Sequence, residues 1–250
     1  MAYDPIVPRA RLGFIIPSSN RMIEPQMTRF APQGVVPHFT RARITNAHEA
    51  PLEQQLPRIL EAAAMLGDSK CDVTILQCTG TSMSGGVDME KRVIREIEKA
   101  TGRPALSAAS SLTSAFRSVG ARRLVFVSET EQPGHDKKLR YLREAGYEIV
   151  ADKAVGLKGS DEYCTMPPKL WYDTALALRR DAADAYFISC ANISSIDAIE
   201  ALEAEVGKPV ITSNQAALWC ALKTIGINDA VPGLGRLMTV PLLKEIAAAE

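Results

Sequence analysis

The sequence carries no excess of charge of either sign. Its 29 Lys and Arg residues balance 29 Asp and Glu residues, and no basic block stands out. A nucleic-acid-binding protein normally shows clustered Lys and Arg, so we do not expect nucleic acid as a partner. No apolar run approaches the roughly 20 residues that span a bilayer, which argues against a membrane protein.

Histidine and cysteine are sparse. The three histidines, His38, His48 and His135, are scattered, and no Cys or His pair has zinc-site spacing, so no metal is expected. The five cysteines are odd in number and no signal-peptide pattern precedes them, which predicts reduced thiols and a cytoplasmic protein. No G-x-S-x-G motif is present, no persuasive partner for a histidine is evident, and no Gly-rich phosphate loop follows the first strand. Neither a Ser-His-Asp triad nor a bound cofactor is predicted.

Short apolar runs alternate with helix-period segments along the chain of 250 residues. This alternation predicts an α/β fold with a parallel sheet covered on both faces. The predicted strands are Arg11–Ile16, Val35–Ile44, Asp72–Gln77, Pro104–Leu106, Arg123–Val127, Tyr147–Ala151, Asp184–Ser189 and Pro209–Thr212. The predicted helices are Arg21–Phe30, Leu52–Leu66 with Gly67 as its stop, Met89–Ala100, Ser110–Val119, Asp136–Ala145, Pro167–Arg180, Ser195–Glu205 and Asn214–Thr224.

The chain repeats itself at one offset. The aspartates that open two apolar runs give 184 − 72 = 112, the cysteines that close them give 190 − 78 = 112, and the two R-L-x-F strands give 123 − 11 = 112. Further on, T-G-R-P-A-L-S (101–107) matches V-G-K-P-V-I-T (206–212) at an offset of 105. We therefore predict two similar αβα domains related by a pseudo-twofold axis, residues 1–107 plus 213–250 and residues 108–212, with the active site in the cleft between them.

Cys78 and Cys190 end equivalent strands. In open α/β sheets ligands bind outside the carboxyl ends of the strands, so the symmetry would place the two thiols on opposite walls of one cleft. The alternative is that both are core residues, because cysteine is among the most buried residue types. Cys71, Cys164 and Cys220 lack this placement and are interpreted as structural or incidental.

Two opposed thiols favour proton transfer or covalent chemistry on a small acid. One can attack carbon or take a proton while the other delivers a proton from the opposite face. A cysteine ahead of a helix can also be a thiolate at neutral pH. The turn Pro17–Asn20 offers hydroxyl and amide donors for a carboxylate, although Ser and Asn also simply cap turns.

The order of four motifs resembles the Asp/Glu racemase superfamily, in the branch that holds maleate cis–trans isomerases and arylmalonate decarboxylases. The motifs are I-I-P-S-S-N (15–20), the strand-end Cys78-Thr79, S-C-A-N (189–192) and P-G-L-G-R-L (232–237). The resemblance implies two similar α/β domains with the site between them. It also implies an isomerase or racemase, because decarboxylases of the branch have glycine in place of the first cysteine.

Carried over from that branch, Cys78 is the nucleophile that adds to an alkene carbon and Cys190 is the proton donor and acceptor. Asn20 binds a carboxylate. The remaining implied contacts to substrate come from Ser19, Thr79, Thr130, Ala191 and Asn192.

One position departs from the branch, which has tyrosine where this sequence has Thr130. A shorter hydroxyl reaches a carboxylate through water or leaves room for a larger substrate. The loop 159–165, where the isomerases supply an asparagine, offers Ser160 and Asp161 instead.

The leading prediction is therefore a cofactor-independent cis–trans isomerase of a small, maleate-like dicarboxylate. A racemase or epimerase of an α-substituted acid or a hydantoin-like compound is the runner-up, and an arylmalonate-type decarboxylase is third. A small-acid binding module is the alternative without turnover. The expected partners are a small carboxylic or dicarboxylic acid and a second copy of the chain in a homo-oligomer.

Overall fold

The computed structural model describes residues 7–44 and 51–243. In the first half, the strands are β1 Ala10–Pro17, β2 Val35–Ala42, β3 Val73–Leu76 and β4 Ala105–Ser107, and the helices are α1 Ile23–Phe30, α2 Leu52–Asp68, α3 Thr79–Met83 and α4 Gly86–Thr101. The strands that follow are β5 Arg123–Thr130, β6 Glu148–Leu157, β7 Ala185–Ile188 and β8 Val210–Thr212. The helices that follow are α5 Ala108–Ser118, α6 Gln132–Glu144, α7 Ser160–Tyr163, α8 Pro168–Ala177, α9 Ile199–Val206 and α10 Ser213–Thr224, with 3-10 turns at Ser195–Ala198 and Arg236–Thr239.

The strands form two parallel four-stranded sheets of the same topology, in the orders β2-β1-β3-β4 and β6-β5-β7-β8. This confirms the predicted α/β class with two similar parallel sheets. In each sheet the first strand along the chain, β1 or β5, has the second strand on one side and the third strand on the other. The switch points therefore lie between β1 and β3 and between β5 and β7, and this is where open α/β sheets bind ligands.

The repeated aspartates have the same structural role in both halves. Asp72 Oδ2 accepts a hydrogen bond of 2.8 Å from the Arg11 backbone N–H, and Asp184 Oδ2 accepts one of 2.8 Å from that of Arg123. The ion pair with Arg123 lowers the pKa of Asp184 below its ordinary range. The duplicated Asp and Arg residues thus lock the start of β3 to β1 and of β7 to β5, far from the strand ends that carry the cysteines.

Helix capping is also duplicated. Ser107 and Thr212 each close a capping box at the start of a helix, α5 and α10 respectively. Gly102 and Gly207 end α4 and α9 in the left-handed conformation, with φ of 65° and 70°. The offset of 105 that relates these residues in the sequence is therefore an offset between equivalent turns.

Several element boundaries differ from the prediction. Helix α2 continues through Gly67, the predicted stop, to Asp68. The role of Gly67 is close packing instead, since a Cβ there would lie 3.3 Å from the Thr101 backbone. Pro37 is tolerated in β2 because β2 is an edge strand. Strand β5 extends three residues past Val127, and the short helices α3 and α7 were not predicted. No helix within residues 7–44 and 51–243 is long and apolar enough to cross a membrane.

Candidate active site

A cavity of about 570 Å³ lies between the carboxyl ends of the two sheets. Such a volume suits a small ligand. The structure brings all eight predicted site residues to its wall: Ser19, Asn20, Cys78, Thr79, Thr130, Cys190, Ala191 and Asn192. These residues follow or end β1, β3, β5 and β7, the four strands that flank the two switch points.

Asn20 joins the two halves at the floor of the cavity. Its Oδ1 accepts from the N–H groups of Met22 and Ile23, at 3.0 and 2.9 Å, and so fixes the entry into α1. Its Nδ2 donates to the Ala191 carbonyl at 3.0 Å. An amide nitrogen has two hydrogens, so one remains for a ligand in the cavity that Asn20 lines.

A hydroxyl chain links the two cysteine loops. Thr79 Oγ1 donates to Ser213 Oγ at 2.9 Å, and Ser213 Oγ also accepts from the Cys190 backbone N–H at 3.2 Å. Ser213 is fully buried at the start of α10, and no sequence motif indicates its role. This chain fixes the loop after β3 relative to the loop after β7, and with it the relation between the thiols.

Cys190 has a backbone conformation that side chains rarely adopt, with φ of 108°. Strain of this kind persists only where surrounding contacts impose it, and it concentrates at functional sites. Here the Asn192 N–H donates to Cys190 Sγ at 3.3 Å, and Asn192 Oδ1 accepts from the Arg21 N–H at 2.8 Å. The contacts aim the thiol at the cavity, where it is 9% exposed.

Both cavity thiols are held in the neutral form. Burial raises the pKa of Cys78, and the neighbouring hydroxyl and N–H of Thr81 offset part of that rise. Burial also raises the pKa of Cys190 well above its ordinary value, and the Glu129 carboxylate adds to the increase. A cysteine ahead of a helix can be a thiolate, but at Cys78 the N–H groups of the five-residue helix α3 do not outweigh desolvation, which raises the pKa.

The third wall comes from β5 and the segment around α7. Tyr163 is buried beside Thr130; burial raises the pKa of its phenol, and a hydrogen bond with Thr130 opposes this. Ser160 Oγ lies 2.9 Å from Ser19 Oγ, and Asp161 forms an ion pair with Arg21. The α7 segment thus crosses the cleft and supplies a phenol that the sequence did not indicate, because its neighbours are distant in the chain.

His135 has partners after all, which corrects the sequence-based expectation. Its Nδ1 lies 2.6 Å from Ser128 Oγ and its Nε2 lies 2.9 Å from Asp152 Oδ2. Ser128 and His135 are both fully buried, so no substrate can reach this serine. We interpret the arrangement as a structural bridge between β5, α6 and β6.

Cys71, Cys164 and Cys220 do not line the cavity. Cys71 and Cys220 are buried in the core, where burial raises the pKa of each to about 11. Within residues 7–44 and 51–243, no group of three or more His, Cys, Asp or Glu side chains is arranged to hold a metal ion.

If Cys78 is the nucleophile that the sequence predicts, its ionisation should set the pH profile of turnover. Because the pKa of Cys78 is raised, few molecules carry its thiolate at neutral pH, so kcat/KM should rise about tenfold per pH unit between pH 6 and 8. Thr81→Val removes a hydroxyl that favours the thiolate and should move this rising limb of the kcat/KM profile to higher pH. Thr74→Val is the matched control, since Thr74 is equally buried on β3 but outside the cavity. Coincident limbs for wild type and Thr81→Val would contradict the role of this hydroxyl.

Two similar parallel α/β halves, each presenting a cysteine to one cleft, define a class of two-lobed enzymes of the Asp/Glu racemase type. Within that class, the chain belongs to the arylmalonate decarboxylase family, whose model matches residues 6–238. The resemblance noted from the sequence motifs is thereby confirmed.

Individual relatives cover most of the chain. A maleate isomerase of Pseudomonas putida is 25% identical over an alignment of 242 residues that covers 92% of this chain and 97% of the relative. A maleate cis-trans isomerase of Nocardia farcinica, crystallised as a cysteine-to-serine mutant with a covalently bound succinylcysteine intermediate, is 25% identical. It superposes with a TM-score of 0.86 over 92% of this chain and 98% of that one. An arylmalonate decarboxylase of Bordetella bronchiseptica is 23% identical over 72% of this chain and 76% of its own length.

Proposed function

We propose that this protein is a cofactor-independent cis–trans isomerase of a small unsaturated dicarboxylate such as maleate. The observation that carries the proposal is the placement of Cys78 and Cys190, which end equivalent strands of two sheets and line one cavity. The full-length similarity to maleate isomerases supports the same reaction.

The reaction follows from two thiols on opposite faces of a planar alkene. The Cys78 thiolate adds to one alkene carbon, and the π electrons move to the neighbouring carbon and its carboxylate. Cys190 gives its proton to that carbon, which leaves a succinyl thioether with a rotatable single bond. After rotation, the Cys190 thiolate removes the other hydrogen of that carbon, which now lies opposite Cys78, and the Cys78 thiolate leaves, which yields the trans product.

The other wall residues would bind the two carboxylates. Asn20 has one amide hydrogen to donate, and Ser19, Thr79 and Thr130 contribute hydroxyls. The backbone at Ala191 and the Asn192 side chain are already fixed by hydrogen bonds to the other half, so they would shape the pocket. Tyr163 would add its phenol beside Thr130.

The test is incubation with maleate, and separately with chiral amino and hydroxy acids, in deuterated water. Formation of fumarate supports isomerisation. Exchange of the α-hydrogen without fumarate would show a racemase or epimerase, which the same thiol pair also permits. Release of carbon dioxide from an arylmalonate would show a decarboxylase, and binding without turnover of any of these acids would favour a small-acid binding module.

We further propose that residues 1–107 plus 213–250 and residues 108–212 are the two domains, and that the protein is a cytoplasmic homo-oligomer. The domain assignment is supported by the matched sheets and capping boxes on either side of these boundaries. Limited proteolysis and light scattering test the boundaries and the oligomer.

A further inference from the structure

A buried ion pair lies beside the two cavity cysteines. Lys138 Nζ, from α6, is 2.7 and 2.6 Å from the two carboxylate oxygens of Glu129, the penultimate residue of β5. Both side chains are at most 2% exposed, and Glu129 lines the cavity together with Cys78 and Cys190. Burying such a pair gives little net stability and often costs some, so the pair needs another explanation.

The two charges of this ion pair affect the pKa values of the two thiols differently. Burial has the largest effect on the pKa of both thiols. At Cys190 the Glu129 carboxylate, which also forms a hydrogen bond with the thiol, raises the pKa more than the Lys138 ammonium lowers it. At Cys78 the Lys138 ammonium has the larger influence. Tyr163 also faces Cys190, and burial raises the pKa of that phenol, so it is neutral. Further charged residues of the cavity wall are exposed to solvent: Arg21, Glu131, Lys137, Lys158 and Asp161. Glu129 and Lys138 are buried, so we take them as the charges that distinguish the thiols.

The repeat offers an independent argument. At the offset of 112 that relates the strands, the position that matches Glu129 is 129 − 112 = 17, which holds Pro17 at the end of β1. The cysteines and their strands are duplicated, but this carboxylate is present in the second half alone. The ion pair thus breaks the symmetry between two thiols that the duplication made equivalent.

We propose that the Glu129–Lys138 pair is a positioning device that assigns opposite protonation roles to the two cysteines. Glu129 accepts a hydrogen bond from the Cys190 thiol and keeps it protonated, ready to act as the acid. Lys138 favours the thiolate of Cys78, the nucleophile. The catalytic meaning of this assignment rests on the proposed isomerase function, because addition and protonation require one thiolate and one thiol at the same moment.

The experiment measures the ionisation of each thiol without substrate. The folded protein is pulse-labelled with iodoacetamide at a series of pH values, and labelling of Cys78 and Cys190 is read separately by peptide mass spectrometry. In wild type, Cys78 should be half-labelled at a pH at least about one unit below Cys190, a tenfold difference in ionisation constant. In the double variant Glu129→Gln/Lys138→Met, the Cys190 value should fall, the Cys78 value should rise, and the gap should close.

Variants at Glu131 and Glu129 serve as controls. Glu131→Gln removes a carboxylate that also lines the cavity but is exposed to solvent, where its charge is screened, and it should leave both labelling curves in place. Replacing both partners of a buried pair is better tolerated than removing one. If the double variant nevertheless fails to fold, Glu129→Asp, which keeps the charge, should retain the gap, while Glu129→Gln alone should lower the Cys190 value.

Unchanged labelling curves in a folded double variant would overturn the proposal, as would a wild type in which Cys190 ionises first. Because no substrate is present, these outcomes are separate from a failure of the protein to isomerise maleate. With maleate as substrate, the double variant should lose kcat more than about tenfold with little change in KM, since the pair does not bind the carboxylates. A loss confined to KM would also contradict the proposal.

Discussion

Cys78→Ala and Cys190→Ala are each expected to lower kcat for maleate by about 10⁴-fold or more. The two thiols act as a unit, one forming the bond to carbon and the other moving the proton, so removal of either should cost nearly as much as removal of both. Their separation in the chain is large, but the Thr79–Ser213–Cys190 hydrogen bonds hold them at one cavity. The measurement is steady-state turnover of maleate to fumarate.

The matched control is Cys220→Ala, in which a buried cysteine of α10 outside the cavity is removed. It should retain kcat at pH 7. Thermal unfolding of all three variants separates lost chemistry from lost structure. If either Cys78→Ala or Cys190→Ala turns over at the wild-type rate, the two-thiol mechanism is wrong.

Asn20→Asp is expected to lower kcat/KM by about 100-fold or more, equivalent to about 2.7 kcal/mol of transition-state stabilisation. The aspartate keeps the acceptor for the Met22 and Ile23 N–H groups, and a negative charge is favourable at the start of a helix, so α1 should remain intact. It lacks the amide donors and places a carboxylate near the Ala191 carbonyl and near a dianionic substrate. The loss should therefore appear mainly in KM.

Asn228→Asp is the corresponding control. Asn228 bonds Lys223 on the exposed turn after α10, outside the cavity, and the same change of chemistry there should leave kcat/KM unaltered. An Asn20→Asp variant that folds and keeps wild-type KM would show that Asn20 only joins the two halves.

The strand-end cysteines could be found from the sequence because the repeat marks them. A period-two or fully apolar run predicts a buried strand, and the offset of 112 places Cys78 and Cys190 in equivalent turns. The Pro17–Asn20 turn could be predicted because it directly follows a predicted strand. The position of each of these residues depends on the strand that precedes it.

Glu129, Tyr163 and Ser213 could not be found in this way. Glu129 and Thr130 belong to β5 only because β6 pairs with the strand beyond Val127, which is a tertiary effect. Tyr163 reaches the cavity because the α7 segment crosses the cleft to Ser19 and Arg21. The β5–β6 pairs join residues more than 20 positions apart, and the α7 contacts join residues at least 140 apart. Local propensity carries no information about either. The pKa shifts of the thiols likewise depend on burial, which outweighed the favourable end of a short helix.

In the proposed isomerisation, Cys78 forms the covalent bond to substrate. This step is tested most directly by incubating the Cys190→Ser variant with maleate and locating the adduct by peptide mass spectrometry. Cys164, the most accessible of the five cysteines, serves as the internal control for nonspecific addition. We expect a succinyl adduct on Cys78 while Cys164 stays unmodified. An adduct on Cys164 in preference to Cys78, or no adduct in a variant that binds maleate, would contradict it.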